Sequence, residues 1–196
     1  IYENLKEQGA CFGSKLGWER PNWFAPEDET AKDIYSYSRQ NWFPHVGEEH
    51  RAVRERVALF DQSSFAKFRI IGTDAEKAMN RICANNVAKP SGALTYTQML
   101  NSKGGIECDL TVARLAKDEF YLVSGTGFRT HDSAWISSQF LPDEKVELHD
   151  ITEEWATFSL MGPLAREVLS QVTENDLENE NFPFGTCRNI EIKEEI

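Results

Sequence analysis

The amino-acid sequence predicts an α/β (α+β) fold with mixed, largely antiparallel sheets and packed helices. Stretches of alternating apolar residues, typical of strands, are interspersed with stretches of helical periodicity along the 196 residues of the chain. Two strand-like stretches, residues 93–100 and 110–115, are joined by a short polar segment and so predict a β-hairpin. Because hairpins pair strands antiparallel, the sheet that contains them should be antiparallel or mixed.

The remaining elements follow from local signals along the chain. A helix is predicted for residues 47–60, where apolar residues recur on one face. A second helix begins at Thr73 or Asp74, since either residue suits an N-cap. The predicted order is a helix at 47–60, a strand at 65–71, a helix to about residue 85, the hairpin, a strand at 120–124, a helix at 129–140, strands at 146–151 and 156–161, a helix at 164–172 and a strand that starts at 190.

Residues 1–44 differ in sequence pattern from the rest of the chain. The stretch at 17–24 is rich in tryptophan, is interrupted by Pro21 and shows no periodicity, so it predicts a packed loop or connector. A dinucleotide-binding unit is not expected in the chain. Its one glycine cluster after a strand, at 125–127, has Thr130 where the third glycine of such a motif would stand.

Composition excludes several classes of partner and site. The net charge of −11 argues against nucleic acid and against an anionic membrane surface as partners, because both attract basic proteins. The four cysteines form no Cys-x-x-Cys pair, and the four histidines form no His-Glu-x-x-His motif. We therefore expect reduced thiols and no metal site.

The most informative residue is Asp109, which follows the turn of the predicted hairpin. Gly104 and Gly105 lie in this turn and can take positive φ. A carboxylate next to a turn and inside an apolar strand is costly to bury unless it is paired or used. From the residues alone, Asp109 either hydrogen-bonds the turn or belongs to a binding site.

The segment Gly104-Gly105-Ile-x-x-Asp109-Leu-x-Val, with Tyr96 thirteen residues before the aspartate, resembles the folate-site motif of the glycine cleavage T-protein (aminomethyltransferase) family. The resemblance implies that tetrahydrofolate is the cofactor. It also implies that Asp109 is catalytic and lies beside the reactive amine of folate, and that Tyr96 lines the folate pocket. Phe65, in a segment that resembles the early strand of the family, would form a wall for the pterin.

Two further segments resemble the forms of this family that are fused to dimethylglycine or sarcosine dehydrogenases. They are Gly-Trp-Glu-Arg-Pro-x-Trp-Phe at residues 17–24 and Phe-Pro-Phe-Gly-Thr at 182–186. The resemblance implies that residues 1–44 are a connector from a missing flavin oxidoreductase part, which alone would hold FAD. Residues 45–196 would then be an incomplete, truncated T-protein-like folate-binding domain.

In such a fused enzyme, the flavin part oxidises an N-methylated glycine, and the T-protein-like region captures the carbon as methylenetetrahydrofolate. The resemblance thus implies an enzyme as the parent, in the cytoplasm or the mitochondrial matrix, and an inactive isolated chain. The same architecture also resembles the regulatory subunit of pyruvate dehydrogenase phosphatase, which would make this a non-catalytic module. A third interpretation is that the chain belongs to a free glycine cleavage T-protein, but the segment at 17–24 argues against it. Gly125 and Ala113 stand where the family has Asn and often Tyr.

Overall fold

The computed structural model describes residues 1–193 and divides into two compact units. The first unit comprises Ile1–Asp61 and Phe158–Leu169, and the second comprises Gln62–Thr157 and the chain after Leu169. Within the described residues, every pair of neighbouring strands is antiparallel. The predicted class, α/β with largely antiparallel sheets, is therefore confirmed.

The first unit contains two small sheets and two complete helices. Trp23 is the centre of its core: the indole is almost fully buried, its Nε1 donates to Asp33 Oδ1 over 2.8 Å, and its ring stacks on His45. The elements are α1 (Tyr2–Glu7), the hairpin β1 (Ala10–Lys15) and β2 (Trp18–Phe24), α2 (Phe43–Glu55), and β3 (Ala58–Asp61) paired with a later strand, Phe158–Met161.

Two predictions for this unit are wrong. The segment at 17–24 forms strand β2 and not a loop, because a bulge in the ladder next to Pro21 accommodates a residue that has no N–H to donate. The helix predicted for 47–60 ends at Glu55, and Phe60 lies in β3. Its pairing partner lies about a hundred residues further on, so local periodicity could not reveal it.

The second unit is built on a five-stranded antiparallel sheet in the order β5-β6-β7-β4-β8. Its strands are β4 (Ala66–Ile71), β5 (Leu94–Leu100), β6 (Ile106–Ala116), β7 (Glu119–Ser124) and β8 (Glu147–Asp150). Helices α3 (Ala75–Ile82) and α4 (Arg129–Ser138) pack on one side of this sheet, which we call the inner face. The strand in the first unit, Phe158–Met161, is β9, and α5 (Ala165–Gln171) follows it.

The core of the second unit lies between the inner face and the two helices. In α3, Ala75, Ala78, Met79 and Ile82 are buried, and this spacing is the apolar stripe of an amphipathic helix. They meet Phe68, Ile70, Leu110, Val112, Phe120, Leu122 and Ile136.

Apart from the strand predicted to start at residue 190, the predicted elements of this unit are present, but several begin or end at other residues. The hairpin is confirmed, with β6 longer than predicted. Asp74 occupies the N-cap of α3, but its carboxylate accepts the backbone N–H of Lys145 and not that of the first helical turn. Residues 190–193 form no strand, and the rest of the strand predicted there lies outside the described residues.

The helices formed by residues 1–193 include none that is long and apolar enough to cross a membrane. The division into a connector at 1–44 and a domain at 45–196 stays a prediction.

Candidate functional site

The hairpin β5–β6 presents different chemistry on its two faces. Thr97 and Met99 of β5 and Cys108 and Leu110 of β6 are buried on the inner face. Because side chains alternate along a strand, the residues between them point to the opposite side, which we call the outer face. Tyr96, Gln98 and Asp109 lie there.

Asp109 is held by two side chains of the neighbouring strand. Tyr96 Oη donates to Asp109 Oδ2, and Gln98 Nε2 donates to Asp109 Oδ1, each over 2.9 Å. The ladder accounts for both contacts, because Gln98 lies directly opposite Asp109 and Tyr96 lies diagonal to it. Each carboxylate oxygen can accept a further donor, so the group is oriented but not saturated.

This cluster is accessible to a ligand. Tyr96 is 64% exposed, and the hydrogen bond to Asp109 raises the pKa of its phenol. The phenol is therefore protonated at neutral pH and can donate its proton to the carboxylate. An amine or amide N–H of a ligand could approach Asp109 from the same side, with the Tyr96 ring as a surface to pack against.

The alternative role for Asp109, hydrogen bonding to the turn, is filled by Asn101. Asn101 Oδ1 accepts the backbone N–H groups of Lys103 and Gly105 over 2.9 and 3.0 Å. Gly104 has a φ of 81°, in the left-handed region that glycine adopts without strain. The turn is thus held by its own residues, and the side chain of Asp109 is hydrogen-bonded to Tyr96 and Gln98 instead.

Phe65 lies level with Asp109 along the strands but further across the sheet. Ala66 pairs with Ser124, which in turn pairs with Leu110. Phe65, half-buried and one residue before β4, therefore falls in the cross-strand row of Asp109. Two strand spacings, about 9–10 Å, separate the backbones of the two residues. The structure brings Tyr96 and Asp109 into contact and leaves Phe65 at this distance.

Lys67 is a candidate site residue that the sequence reasoning missed. It lies in the same row as Val123, Thr111 and Tyr96 and is fully buried. Its Nζ donates to the carbonyl oxygens of Ser63 and Phe65 over 2.6 and 3.1 Å. Lys67 therefore helps to fix the segment that carries Phe65.

A signal for the missed residues was present in the sequence. Gln98 is two residues from Tyr96 in a predicted strand, so it had to share the outer face. Lys67 and Arg69 alternate with Phe68 and Ile70, which likewise assigns the charged pair to that face. What alternation could not reveal is that Lys67 is buried there.

Comparison with known proteins assigns this chain to a family. The model of the GCVT N-terminal domain matches residues 1–195. Over 192 residues, the chain is 36% identical to 4-methylaminobutanoate oxidase (formaldehyde-forming) from Paenarthrobacter nicotinovorans, covering 98% of this chain and 23% of that protein. Mitochondrial dimethylglycine dehydrogenase from Mus musculus is 34% identical over 195 residues, covering 99% of this chain and 22% of that protein.

A solved structure has a fold similar to that of this chain. Aminomethyltransferase T of the glycine cleavage system from Bartonella henselae superposes with a TM-score of 0.71 at 26% identity, covering 87% of this chain and 42% of that one. The chain thus spans less than a quarter of the length of the two sequence relatives. With this fold and this match along nearly its whole length, the chain belongs to the GCVT N-terminal domain family, as the folate-site motif predicted.

Proposed function

We propose that this chain is the tetrahydrofolate-binding, one-carbon-accepting region of a flavin-dependent enzyme like the dimethylglycine and sarcosine dehydrogenases. The observation that carries the proposal is the outer-face cluster, in which Tyr96 and Gln98 orient the Asp109 carboxylate toward an accessible surface. The family supports folate as the ligand of such a cluster. The methylated amine oxidised by the parent, an N-methylated glycine in this proposal, would be chosen in the flavin part, where FAD supplies the oxidation.

Asp109 is the catalytic residue in this proposal. Its ionised carboxylate would accept a hydrogen bond from the reactive amine of folate and stabilise the positive charge that develops as the carbon unit is captured. Tyr96 and Gln98 keep the carboxylate in one orientation, so no reorganisation is needed when that charge appears. The resulting transfer would yield methylenetetrahydrofolate.

Tyr96 and Phe65 would bind the pterin. The exposed ring of Tyr96 offers a flat apolar surface with a polar tip, which suits a heteroaromatic ligand. Phe65, about two strands away, would close the opposite wall. Lys67 would act as a positioning residue by holding the carbonyl groups of Ser63 and Phe65.

The domain organisation and location belong to the same proposal. Residues 1–44 would connect the flavin part to the folate-binding region at 45–196, in the cytoplasm or in the mitochondrial matrix of a eukaryote. The matched relatives support this arrangement, because two of them are much longer oxidising enzymes.

The test is calorimetric titration of the 196-residue chain with 5-formyltetrahydrofolate. Binding should weaken at least about tenfold in Asp109→Ala, since a charge-assisted hydrogen bond contributes about 1.5–3 kcal/mol. Asp118→Ala is the matched control, because Asp118 is an exposed carboxylate beyond the other end of β6 and should leave affinity unchanged.

The other outcomes separate the alternatives. Equal affinity for the wild-type chain and Asp109→Ala would exclude Asp109 from the site. If the folded chain fails to bind while the full-length parent binds, the folate site needs residues beyond this chain. Failure of both to bind would overturn the proposal in favour of the non-catalytic regulatory module.

A further inference from the structure

A second cluster of reactive side chains lies on the inner face, one residue away from Asp109. Cys108 of β6 and Asp132 of α4 are both 1% exposed, and the adjacent His131 reaches the surface. The potential ligand atoms of these three residues all lie within 4.8 Å of one another. His131 Nδ1 is 3.0 Å from Asp132 Oδ1.

Contrary to the expectation from motif spacing, we propose that Cys108, His131 and Asp132 bind a transition-metal ion of the zinc class. Sulfur, imidazole nitrogen and carboxylate oxygen are the three ligand types that zinc takes from proteins, and three of them leave a fourth position for water. Bonds of about 2.1 Å place two tetrahedral ligand atoms about 3.4 Å apart, close to the separation seen between His131 and Asp132. A thiolate and a carboxylate together neutralise a divalent ion.

The surroundings of His131 support this assignment. A metal-bound histidine ordinarily donates its other ring N–H to a carboxylate, which fixes the ring and its tautomer. His131 Nε2 lies 3.5 Å from Glu107 Oε2, on the ring edge opposite Asp132. Glu107 is itself held, because Asn101 Nδ2 donates to its Oε1 over 2.7 Å. A carboxylate thus stands where an outer-shell partner of a metal-bound His131 is needed.

The three proposed ligands differ in solvent exposure in a way that allows an ion to enter and then be shielded. The side chain of His131 is 49% exposed, so an ion can enter from its side, whereas Cys108 and Asp132 are shielded from solvent. Burial raises the pKa of the Cys108 thiol, so a metal ion must displace the thiol proton. Without metal, the same groups form a hydrogen-bonded network centred on Asp132.

A bound ion would join α4 to β6 directly behind the strand position that presents Asp109. Cys108 and Asp109 are consecutive residues with side chains on opposite faces. The ion would therefore restrain the backbone of the proposed folate site from its inner side. The metal site does not depend on folate binding, and its test has a separate readout.

The test is anaerobic titration of the chelator-treated 196-residue chain with Co²⁺, followed by absorption. We expect a thiolate-to-cobalt charge-transfer band that saturates at one equivalent and disappears when Zn²⁺ is added. Cys108→Ser should abolish the band. His131→Gln and Glu107→Gln should each weaken Co²⁺ binding about tenfold or more, as loss of a ligand or of its outer-shell carboxylate does.

Two variants serve as matched controls. Cys187→Ser and His149→Gln change the same residue types outside the cluster and should leave the band unaltered. His131 is half exposed, so His131→Gln keeps the native fold even if Cys108→Ser does not; circular dichroism checks both. The proposal is overturned if the folded wild-type chain shows no band, or if the band persists unchanged in Cys108→Ser or His131→Gln.

Discussion

The two faces of the five-stranded sheet differ in role: the inner face forms the apolar core, and the outer face carries the polar cluster of the candidate site. On the inner face, Phe68, Leu110 and Leu122 pack against α3 and α4 with almost no exposure. On the outer face, the intervening positions carry Tyr96 and Asp109, whose side chains hydrogen-bond to each other in contact with solvent. The alternation of strands thus lets a rigid apolar core orient a polar cluster, and a change on either face should affect mainly one property.

The largest expected difference is between Val112 and Val123, which present the same side chain on opposite faces of neighbouring strands. Val112 is 1% exposed in the core, whereas Val123 is half-buried on the outer face. Val112→Ala should lower the free energy of unfolding by about 2–3 kcal/mol through lost burial and a residual cavity. Val123→Ala should lower it by about 1 kcal/mol. Urea unfolding measures both, and equal losses would contradict the contrast between the faces.

Asp150, in the edge strand β8, should contribute less to stability than the buried Val112. Burial alone would raise the pKa of Asp150, but hydrogen bonds from Thr152 and Arg129 outweigh it and lower the pKa. A lowered folded-state pKa stabilises the fold above the unfolded value of about 3.9 and loses that effect as pH falls through the folded value.

Asp150→Asn should therefore cost about 1 kcal/mol at pH 7, and nothing once the pH lies below the folded-state pKa. A series of urea midpoints against pH measures this difference. Asp143→Asn, which removes an exposed carboxylate in the turn before β8, is the matched control. A difference between wild type and Asp150→Asn that grows on acidification would contradict the expected sign.

The candidate site itself should contribute little to stability. Asp109→Asn keeps an acceptor for Tyr96 at an exposed position, so the free energy of unfolding should change by less than about 0.5 kcal/mol. The same variant should weaken 5-formyltetrahydrofolate binding, because the negative charge is lost. A large loss of stability without an effect on binding would mean that Asp109 is structural.

The smallest expected effect is on the ionisation of Tyr96. Its phenol pKa is raised chiefly by the hydrogen bond to Asp109, so wild-type Tyr96 should ionise at higher pH than an ordinary tyrosine. Asp109→Ala removes the acceptor and should bring the pKa of Tyr96 back toward about 10. Ultraviolet titration follows the phenolate, and Tyr96→Phe identifies its contribution among the five tyrosines. An unchanged Tyr96 titration in Asp109→Ala would argue against the hydrogen bond.

Much of the fold and part of the candidate site follow from local sequence. The turn at 101–105 and the motif that spans the hairpin are local features, and they suffice to predict Tyr96 and Asp109 in one site. Predictions failed where a distant partner decided the conformation. The helix predicted to include Phe60 stops earlier because β3 pairs with β9, and Pro21 enters a strand because a bulge beside it relieves the missing donor.

Periodicity and short-range sequence signals predict the fold class and the hairpin, and the motif that spans the hairpin predicts the family and places Tyr96 and Asp109 in one candidate site. Three features depend on tertiary packing: Gln98 hydrogen-bonds to Asp109, Lys67 is buried, and Cys108 lies close to His131 and Asp132. Local sequence does not reveal them, because burial and side-chain contact depend on which elements pack together. Cys108 and His131 are separated along the chain by β7 and meet only because α4 packs on the inner face beside β6.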